Sequence, residues 1–157
     1  MVLFFIDEGM NMSQLQHHQL AATFLRLALG VVLLSHSAYL KFVIFTLEGT
    51  AGYFTSIGLP GFLAYLVFFV EVTAGIAFLL GLQVRFFSLL ILPVFLGATW
   101  VHWTNGWLFT NQGGGWEYPL LLVVLCPIQY LLGSGLYSIE QPIPFAKKRD
   151  PQQVGAD

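Results

Sequence analysis

Four apolar runs, each about long enough to cross a lipid bilayer, constrain this chain more than any other feature of its sequence. A membrane-spanning α-helix needs about 20 consecutive, mostly apolar residues. The runs occupy residues 20–47, 62–82, 86–103 and 117–137. Only 9% of the 157 residues are charged, against roughly 25% in soluble domains, so there are too few ionic groups to solvate a globule. The sequence therefore predicts an integral membrane protein.

The four runs are apolar on all sides, whereas the strands of a membrane β-barrel alternate with a period of two. The predicted fold class is therefore all-α, an integral membrane four-helix bundle with up-down-up-down topology. Turn-rich segments at 48–61 and 105–116 and the short QVR segment at 83–85 connect the spans. The predicted organisation is an N-terminal cytoplasmic or interfacial segment (1–19), a membrane domain (20–137) and a disordered cytoplasmic tail (138–157).

Basic residues near the ends of the spans predict the orientation, because Lys and Arg favour the cytoplasmic side. Arg85 lies between the second and third spans, and Lys147, Lys148 and Arg149 follow the fourth. The other two connections contain no Lys or Arg. We therefore expect both termini in the cytoplasm, the two Gly-rich loops outside, and contact between the basic tail and anionic membrane lipid.

Charge and cysteine content exclude several classes of function. A net charge of -2 provides no basic surface for nucleic acid. The single cysteine, Cys126, excludes an intramolecular disulfide, a CxxC redox pair and a cysteine-built metal cluster.

Ionisable side chains inside the spans are the strongest functional signal, since a central charge costs about 2.5 to 3.5 kcal/mol. Glu71 is the tenth residue of its run and lies near the membrane midplane. Arg26, Gly30, Ser37 and Lys41 fall on one stripe of the first helix and are predicted to face the bundle. Arg26 is expected near the cytoplasmic end, within reach of Glu71. The alternatives are a protonated, structural Glu71 and cations that extend separately to the two membrane surfaces.

Further polar side chains are predicted to converge in the external half of the bundle. The candidates for chemistry are Glu71, His102, Glu117 and Lys41, and those for ligand binding are Arg26, His36, Asn105 and Trp103. The tryptophans in this region are typical of an aromatic belt at the membrane surface, although they would also pack against a flat aromatic ligand.

Segments along the chain, taken together, resemble the DoxX family of small bacterial four-helix membrane proteins. The matching segments are RLALG (26–30), HSAYLK (36–41), GTAGYFTSIGLP (49–60), EVTAG (71–75), HWTNG (102–106), GGGWEYP (113–119) and GSGLYSIE (133–140). The resemblance implies a multi-pass protein of the bacterial cytoplasmic (inner) membrane that is associated with respiratory or redox systems, including thiosulfate:quinone oxidoreductases.

We therefore expect a membrane subunit of a redox system linked to quinone, with a redox partner protein that supplies electrons. A small apolar or aromatic ligand fits the candidate site, and a homo-oligomer is left open. Glu71 or Glu117 would relay protons, His102 would donate to a carbonyl oxygen, and Lys41 or Arg26 would stabilise negative charge on the ligand. The alternatives are a non-catalytic anchor for partner proteins, a metal- or haem-binding protein that uses His36 and His102, and a transporter. No haem or metal is expected.

Overall fold

The computed structural model describes residues 12–140, and this part of the chain is helical and contains no strand. Its α-helices are α1 (Met12–Leu34), α2 (Leu47–Ser56), α3 (Phe62–Leu80), α4 (Val84–His102) and α5 (Glu117–Leu132). A π-helical segment (Ser35–Ile44) continues α1, and a 3-10 turn (Trp103–Asn105) follows α4. The predicted all-α fold class is confirmed. Residues 1–11 and 141–157, which include most of the predicted N-terminal segment and tail, lie outside the described residues.

Three of the helices are long and apolar enough to span a membrane. They cover Ser13–Ile44, Phe62–Leu80 and Val84–Asn105. The fourth apolar helix, α5, has 16 residues, which at 1.5 Å per residue is about 24 Å. It is therefore somewhat shorter than the hydrocarbon core of a typical bilayer, which is about 30 Å thick.

The four long helices pack in chain order around the bundle. α1 contacts α3 and α5, α3 contacts α4, and α4 packs closely against α5. The first and third spans therefore lie diagonally opposite each other in the bundle. The start of α1 and the segment after α5 lie together, since the carbonyl of Gln19 accepts from the Leu136 N–H. We call this end of the bundle the termini end and the opposite end, with the α4–α5 connection, the loop end.

Two glycines set the register between α1 and α3. A Cβ atom on Gly30 would lie 2.9 Å from Leu79 Cδ2 and 3.1 Å from the Gly75 carbonyl oxygen. A Cβ atom on Gly75 would lie 2.9 Å from Leu34 Cγ and 3.3 Å from the Gly30 carbonyl oxygen. Small residues of this kind let membrane helices approach closely. Gly30 and Gly75 therefore mark the point where the two helices cross.

The connection between the first two spans differs from its prediction as a turn-rich loop. Residues 47–56 form the ten-residue helix α2, and the Thr46 hydroxyl caps its N-terminus by accepting from the Gly49 N–H at 3.1 Å. Threonine is a favoured N-cap residue, so this helix start had a local signal. The glycines at 49, 52 and 58 obscured this signal, because glycines in a sequence are typical of turns and loops.

The segment after α5 packs against the termini end. Ser138 is buried, and the Ile139 N–H donates to the Leu80 carbonyl at 3.1 Å. A Cβ atom on Gly81, which has φ +70°, would collide with Ser138 and come within 3.1 Å of Arg26. Residues 138–140, predicted as the start of a disordered tail, are therefore part of the packed bundle.

Candidate functional site

A buried ion pair joins the first and second spans in the middle of the bundle. Lys41 Nζ lies 2.6 Å from Glu71 Oε1 and 2.5 Å from Glu71 Oε2. The Glu71 side chain is 6% exposed and that of Lys41 is 19% exposed. Because both carboxylate oxygens accept from the same ammonium, one Lys41 N–H remains to donate elsewhere. Lys41 is therefore the more accessible member of the pair.

The π-helical segment carries Lys41 into this position. The segment ends where the Phe45 N–H donates to the Leu40 carbonyl, five residues earlier, at 2.8 Å. Helical side chains lean towards the N-terminus of their helix, so Lys41 reaches back to the level of Glu71. π-helical turns are rare and occur frequently at functional sites. Nothing in the apolar periodicity predicted this segment.

The ion pair opens on a large chamber at the loop end. The chamber has a volume of about 1780 Å³ and is lined by the end of α1, the π-helical segment, α2, α3, α4, α5 and the α4–α5 connection. Most of its walls are apolar. Its ionisable lining residues are His36, Lys41, Glu71, His102 and Glu117. The structure thus brings together all four candidates for chemistry and one of the four candidates for ligand binding.

His36 forms part of a flat aromatic wall. Its ring stacks on that of Tyr118, with the centroids 6.0 Å apart and the planes at 24°. His36 lines the chamber together with Lys41 and His102. The two histidines therefore face a common space although they lie on diagonal spans. Tyr118 was not predicted, because it reads as an interfacial aromatic residue.

His102 is held in one orientation by its own helix. Its Nδ1 lies 2.8 Å from the Ala98 carbonyl oxygen, and because a carbonyl can only accept, Nδ1 carries the proton. In the neutral ring, Nε2 is then a free acceptor. A Cβ atom on Gly114 would lie 3.8 Å from this Nε2, which places the glycine-rich connection directly against the histidine.

Two predicted ligand-binding residues, Asn105 and Trp103, do not line the chamber. They stabilise the α4–α5 connection that forms part of its wall. The Asn105 side chain donates to the Gly113 carbonyl at 3.1 Å, and the Asn105 carbonyl accepts from the Asn111 side chain at 2.8 Å. Trp103 is exposed and stacks on Trp116, with the centroids 4.6 Å apart. Both residues therefore fix the α4–α5 connection, while Trp100 and Trp107 line the chamber.

The prediction that Arg26 reaches Glu71 is wrong. Arg26 is 1% exposed, and its guanidinium donates to four carbonyl oxygens at the termini end. These belong to Phe78 at 2.6 Å, Leu79 at 2.8 Å, Leu136 at 3.1 Å and Tyr137 at 3.2 Å. Arg26 does not line the chamber. It binds the C-terminal carbonyls of α3, where the helix dipole favours a cation.

No group of three or more His, Cys, Asp or Glu side chains among residues 12–140 could hold a metal ion. Cys126 is buried.

Comparisons with known proteins agree with the architecture. A family model described as DoxX matches residues 21–103. A Bacillus subtilis (strain 168) protein named "Putative oxidoreductase CatD" is 32% identical over 80 residues, which cover 51% of this chain and 58% of that protein. The match thus spans little more than half of the relative. No solved structure matches the chain.

Proposed function

The chain belongs to the DoxX family, and on this premise we propose that it is a membrane subunit of a redox system and binds a quinone-type ligand at the loop end. The observation that carries the proposal is the buried Lys41–Glu71 pair, which opens on an apolar chamber of about 1780 Å³. A related protein named as a putative oxidoreductase supports the redox role.

The chamber residues fit a flat, largely apolar molecule that carries oxygen atoms. Binding sites for such molecules combine apolar walls with a few well-placed polar groups. The His36–Tyr118 stack offers a planar wall, the free N–H of Lys41 offers a donor, and Nε2 of His102 offers an acceptor. Donor and acceptor come from different helices, so one ligand oxygen can meet Lys41 while a hydroxyl meets His102.

A quinone supplies two-electron chemistry that is coupled to the uptake or release of protons. Lys41 would donate a charge-assisted hydrogen bond to a ligand oxygen, and such bonds are stronger than neutral ones. Glu71 would act through Lys41, since it holds the ammonium in place. In its neutral form His102 would accept a proton from a ligand hydroxyl at Nε2. Glu117, at the start of α5, would exchange protons with the surface.

A partner protein would supply or accept the electrons, because one cysteine gives no dithiol pair. We also propose that the protein lies in the bacterial cytoplasmic membrane with its termini end facing the cytoplasm. Arg85 lies at that end, as the orientation rule for basic residues requires. Labelling of single cysteines, introduced at Glu48 and Arg85 in a Cys126→Ala background, would test the orientation. A membrane-impermeant reagent applied to intact spheroplasts should reach only position 48.

Titration of the purified protein in nanodiscs with a decyl-tailed benzoquinone would test ligand binding. Trp100 and Trp107 line the chamber, so binding should quench tryptophan fluorescence. Lys41→Met and His102→Phe should each weaken binding about tenfold, the value of one hydrogen bond to a charged or well-placed group. Thr73→Val, an exposed position on the same helix as Glu71, is the matched control and should bind as the wild type does.

Unchanged affinity in both chamber variants would overturn the proposal. If the same variants were less stable but retained full affinity, the polar residues would serve only to hold the helices together. That outcome would favour the alternative of a membrane anchor without a ligand.

A further inference from the structure

A second, smaller pocket lies at the termini end, far from the chamber. It has a volume of about 300 Å³ and lies between the start of α1, the α3–α4 turn and the end of α5. Its polar lining side chains are Gln19, Gln83, Arg85, Ser134 and Glu140, and Leu132 forms an apolar wall. Because the pocket lies where three spans end, its depth corresponds to the headgroup region of the membrane.

Arg85 and Glu140 line this pocket together without pairing. Among residues 12–140, Lys41 and Glu71 form the one ion pair, so the nitrogen atoms of Arg85 lie more than 4.0 Å from the carboxylate of Glu140. Opposite charges that share a small pocket without contact can each bind one charge of the same ligand. A ligand with both a negative and a positive group matches them.

One side of the pocket favours a negatively charged group and is formed by α4 and its neighbours. The first N–H groups of a helix have no partner within the helix and favour an anion. α4 begins at Val84 without a side-chain cap, and Arg85 in its first turn adds a full positive charge. Ser134, which is 8% exposed, lines the same pocket, and its hydroxyl has no hydrogen-bond partner among the described residues. This hydroxyl is therefore available to donate to an oxygen atom of a ligand in the pocket.

The other side of the pocket favours a positively charged group and is formed by Glu140. Its Oε1 accepts from the Gln83 N–H at 2.5 Å, which fixes the carboxylate at the rim and leaves Oε2 to accept from a ligand. Next to the pocket, Phe86 and Leu131 are exposed and apolar. In a membrane these two side chains would contact acyl chains.

We propose that this pocket binds the headgroup of a phosphatidylethanolamine lipid, with the phosphate at Arg85, Ser134 and the start of α4, and the ammonium at Glu140. The proposal goes beyond the redox role, because it concerns the opposite end of the bundle and requires no quinone. Failure of the chamber titrations would leave it untouched.

Native mass spectrometry of the full-length protein, with phosphatidylethanolamine, phosphatidylglycerol and phosphatidylcholine of identical acyl chains, would test the proposal. The wild type should retain phosphatidylethanolamine about tenfold better than the other two lipids, the value of one charge-assisted hydrogen bond. Arg85→Gln should reduce binding of all three lipids. Glu140→Gln should lower retention of phosphatidylethanolamine but not of phosphatidylglycerol. A variant that merely unfolds could not change lipid preference in this way.

Glu48→Gln, an exposed position on α2, is the control and should behave as the wild type does. Equal retention of the three lipids, or retention that is unaffected by Arg85→Gln, would overturn the proposal. Preference for phosphatidylglycerol in the wild type would also overturn it and identify a purely anionic site. Equally tight binding of free O-phosphoethanolamine would confirm the headgroup chemistry but overturn its assignment to a lipid.

Discussion

Arg26 on α1 and Lys41 on the π-helical segment that continues it belong to the same membrane span, yet their surroundings give them different roles. Arg26 is enclosed at the termini end by four backbone carbonyls. Lys41 pairs with one carboxylate and keeps contact with an open chamber at the loop end. The two terminal nitrogens of the Arg26 guanidinium are both occupied by backbone carbonyls, so they hold the structure together. A cation with a spare donor beside a cavity can also bind a ligand.

The two regions also differ in backbone conformation. α1 is regular α-helix, whereas the segment that continues it towards the loop end (Ser35–Ile44) is π-helical and leads into Thr46, which has φ +61° and ψ 156°. Residues other than glycine rarely adopt this conformation, which costs about 1 to 3 kcal/mol. Gln83 (φ +44°) and Tyr137 (φ +54°) at the termini end also have positive φ, so backbone strain is present at both ends of the bundle.

The largest expected effect is the loss of Arg26. Arg26→Met would remove four hydrogen bonds from a charged group and leave the carbonyls of Phe78, Leu79, Leu136 and Tyr137 without this donor. We expect the free energy of unfolding in detergent to fall by at least about 4 kcal/mol, since hydrogen bonds to charged groups contribute about 1.5 to 3 kcal/mol each. Arg85→Gln, at an exposed arginine, should change it by about 0.5 kcal/mol or less. Equal effects of the two substitutions would break the distinction between a structural and an exposed arginine.

The next largest effect concerns the ion pair. Lys41→Met or Glu71→Leu alone leaves one buried group without its partner, and each should destabilise the protein by about 2 to 3 kcal/mol, because the remaining group can neutralise itself in part. The double substitution Lys41→Met and Glu71→Leu should recover most of this loss, because no buried charge remains. Chemical denaturation of all four proteins would provide the coupling energy. Strictly additive losses would contradict the pairing.

A smaller effect is expected at the helix crossing. Gly30→Ala would place a methyl group 2.9 Å from Leu79 Cδ2, and overpacking of this kind costs about 1 to 2 kcal/mol. Gly97→Ala is a matched control, because Gly97 also lies within a membrane helix but a Cβ atom there meets nothing within 4 Å. Gly97→Ala should be neutral or stabilising, since alanine is the better helix former. Thermal unfolding in detergent would compare the two. If both variants were equally stable, the crossing would not be fixed by Gly30.

The smallest effect should be a stabilisation at Thr46. Thr46→Gly would relieve the backbone strain and lose only a few tenths of a kcal/mol in capping, for a net gain of about 1 kcal/mol. Hydrogen exchange of α2 should therefore become slower. Thr55→Gly, within the same helix, should accelerate exchange because glycine weakens a helix interior. Faster exchange in Thr46→Gly would argue against strain at this position.

The sequence predicted which face of the first helix is buried, but not what each residue contacts. Spacings of four and seven residues placed Arg26, Gly30 and Ser37 on one stripe, and all three are buried. The partner of Arg26 depends on where α1 crosses α3. The helices are antiparallel and cross at Gly30 and Gly75. Arg26 lies four residues before Gly30, so it is level with Leu79, which lies four residues after Gly75. Glu71 lies on the other side of the crossing, about 12 Å away along the axis.

The chamber was predictable in composition but not in shape. Apolar runs interrupted by His36, Lys41, Glu71, His102 and Glu117 indicated a polar site near one end of the bundle, and these residues do line one cavity. The π-helical segment depends on hydrogen bonds that no side-chain pattern specifies, and α2 was hidden by its glycines. Asn105 and Trp103 are residue types that often bind ligands, but here they make contacts within the α4–α5 connection and do not line the chamber.

The quinone affinity of the charge-free double variant, Lys41→Met and Glu71→Leu, tests the central claim most directly. This variant should keep nearly the stability of the wild type, so a change in affinity would report on ligand contacts and not on folding. We predict that its dissociation constant for a decyl-tailed benzoquinone, measured by tryptophan quenching in nanodiscs, will be at least about tenfold weaker than that of the wild type. An unchanged dissociation constant in the folded variant would contradict the claim that the buried pair serves a ligand.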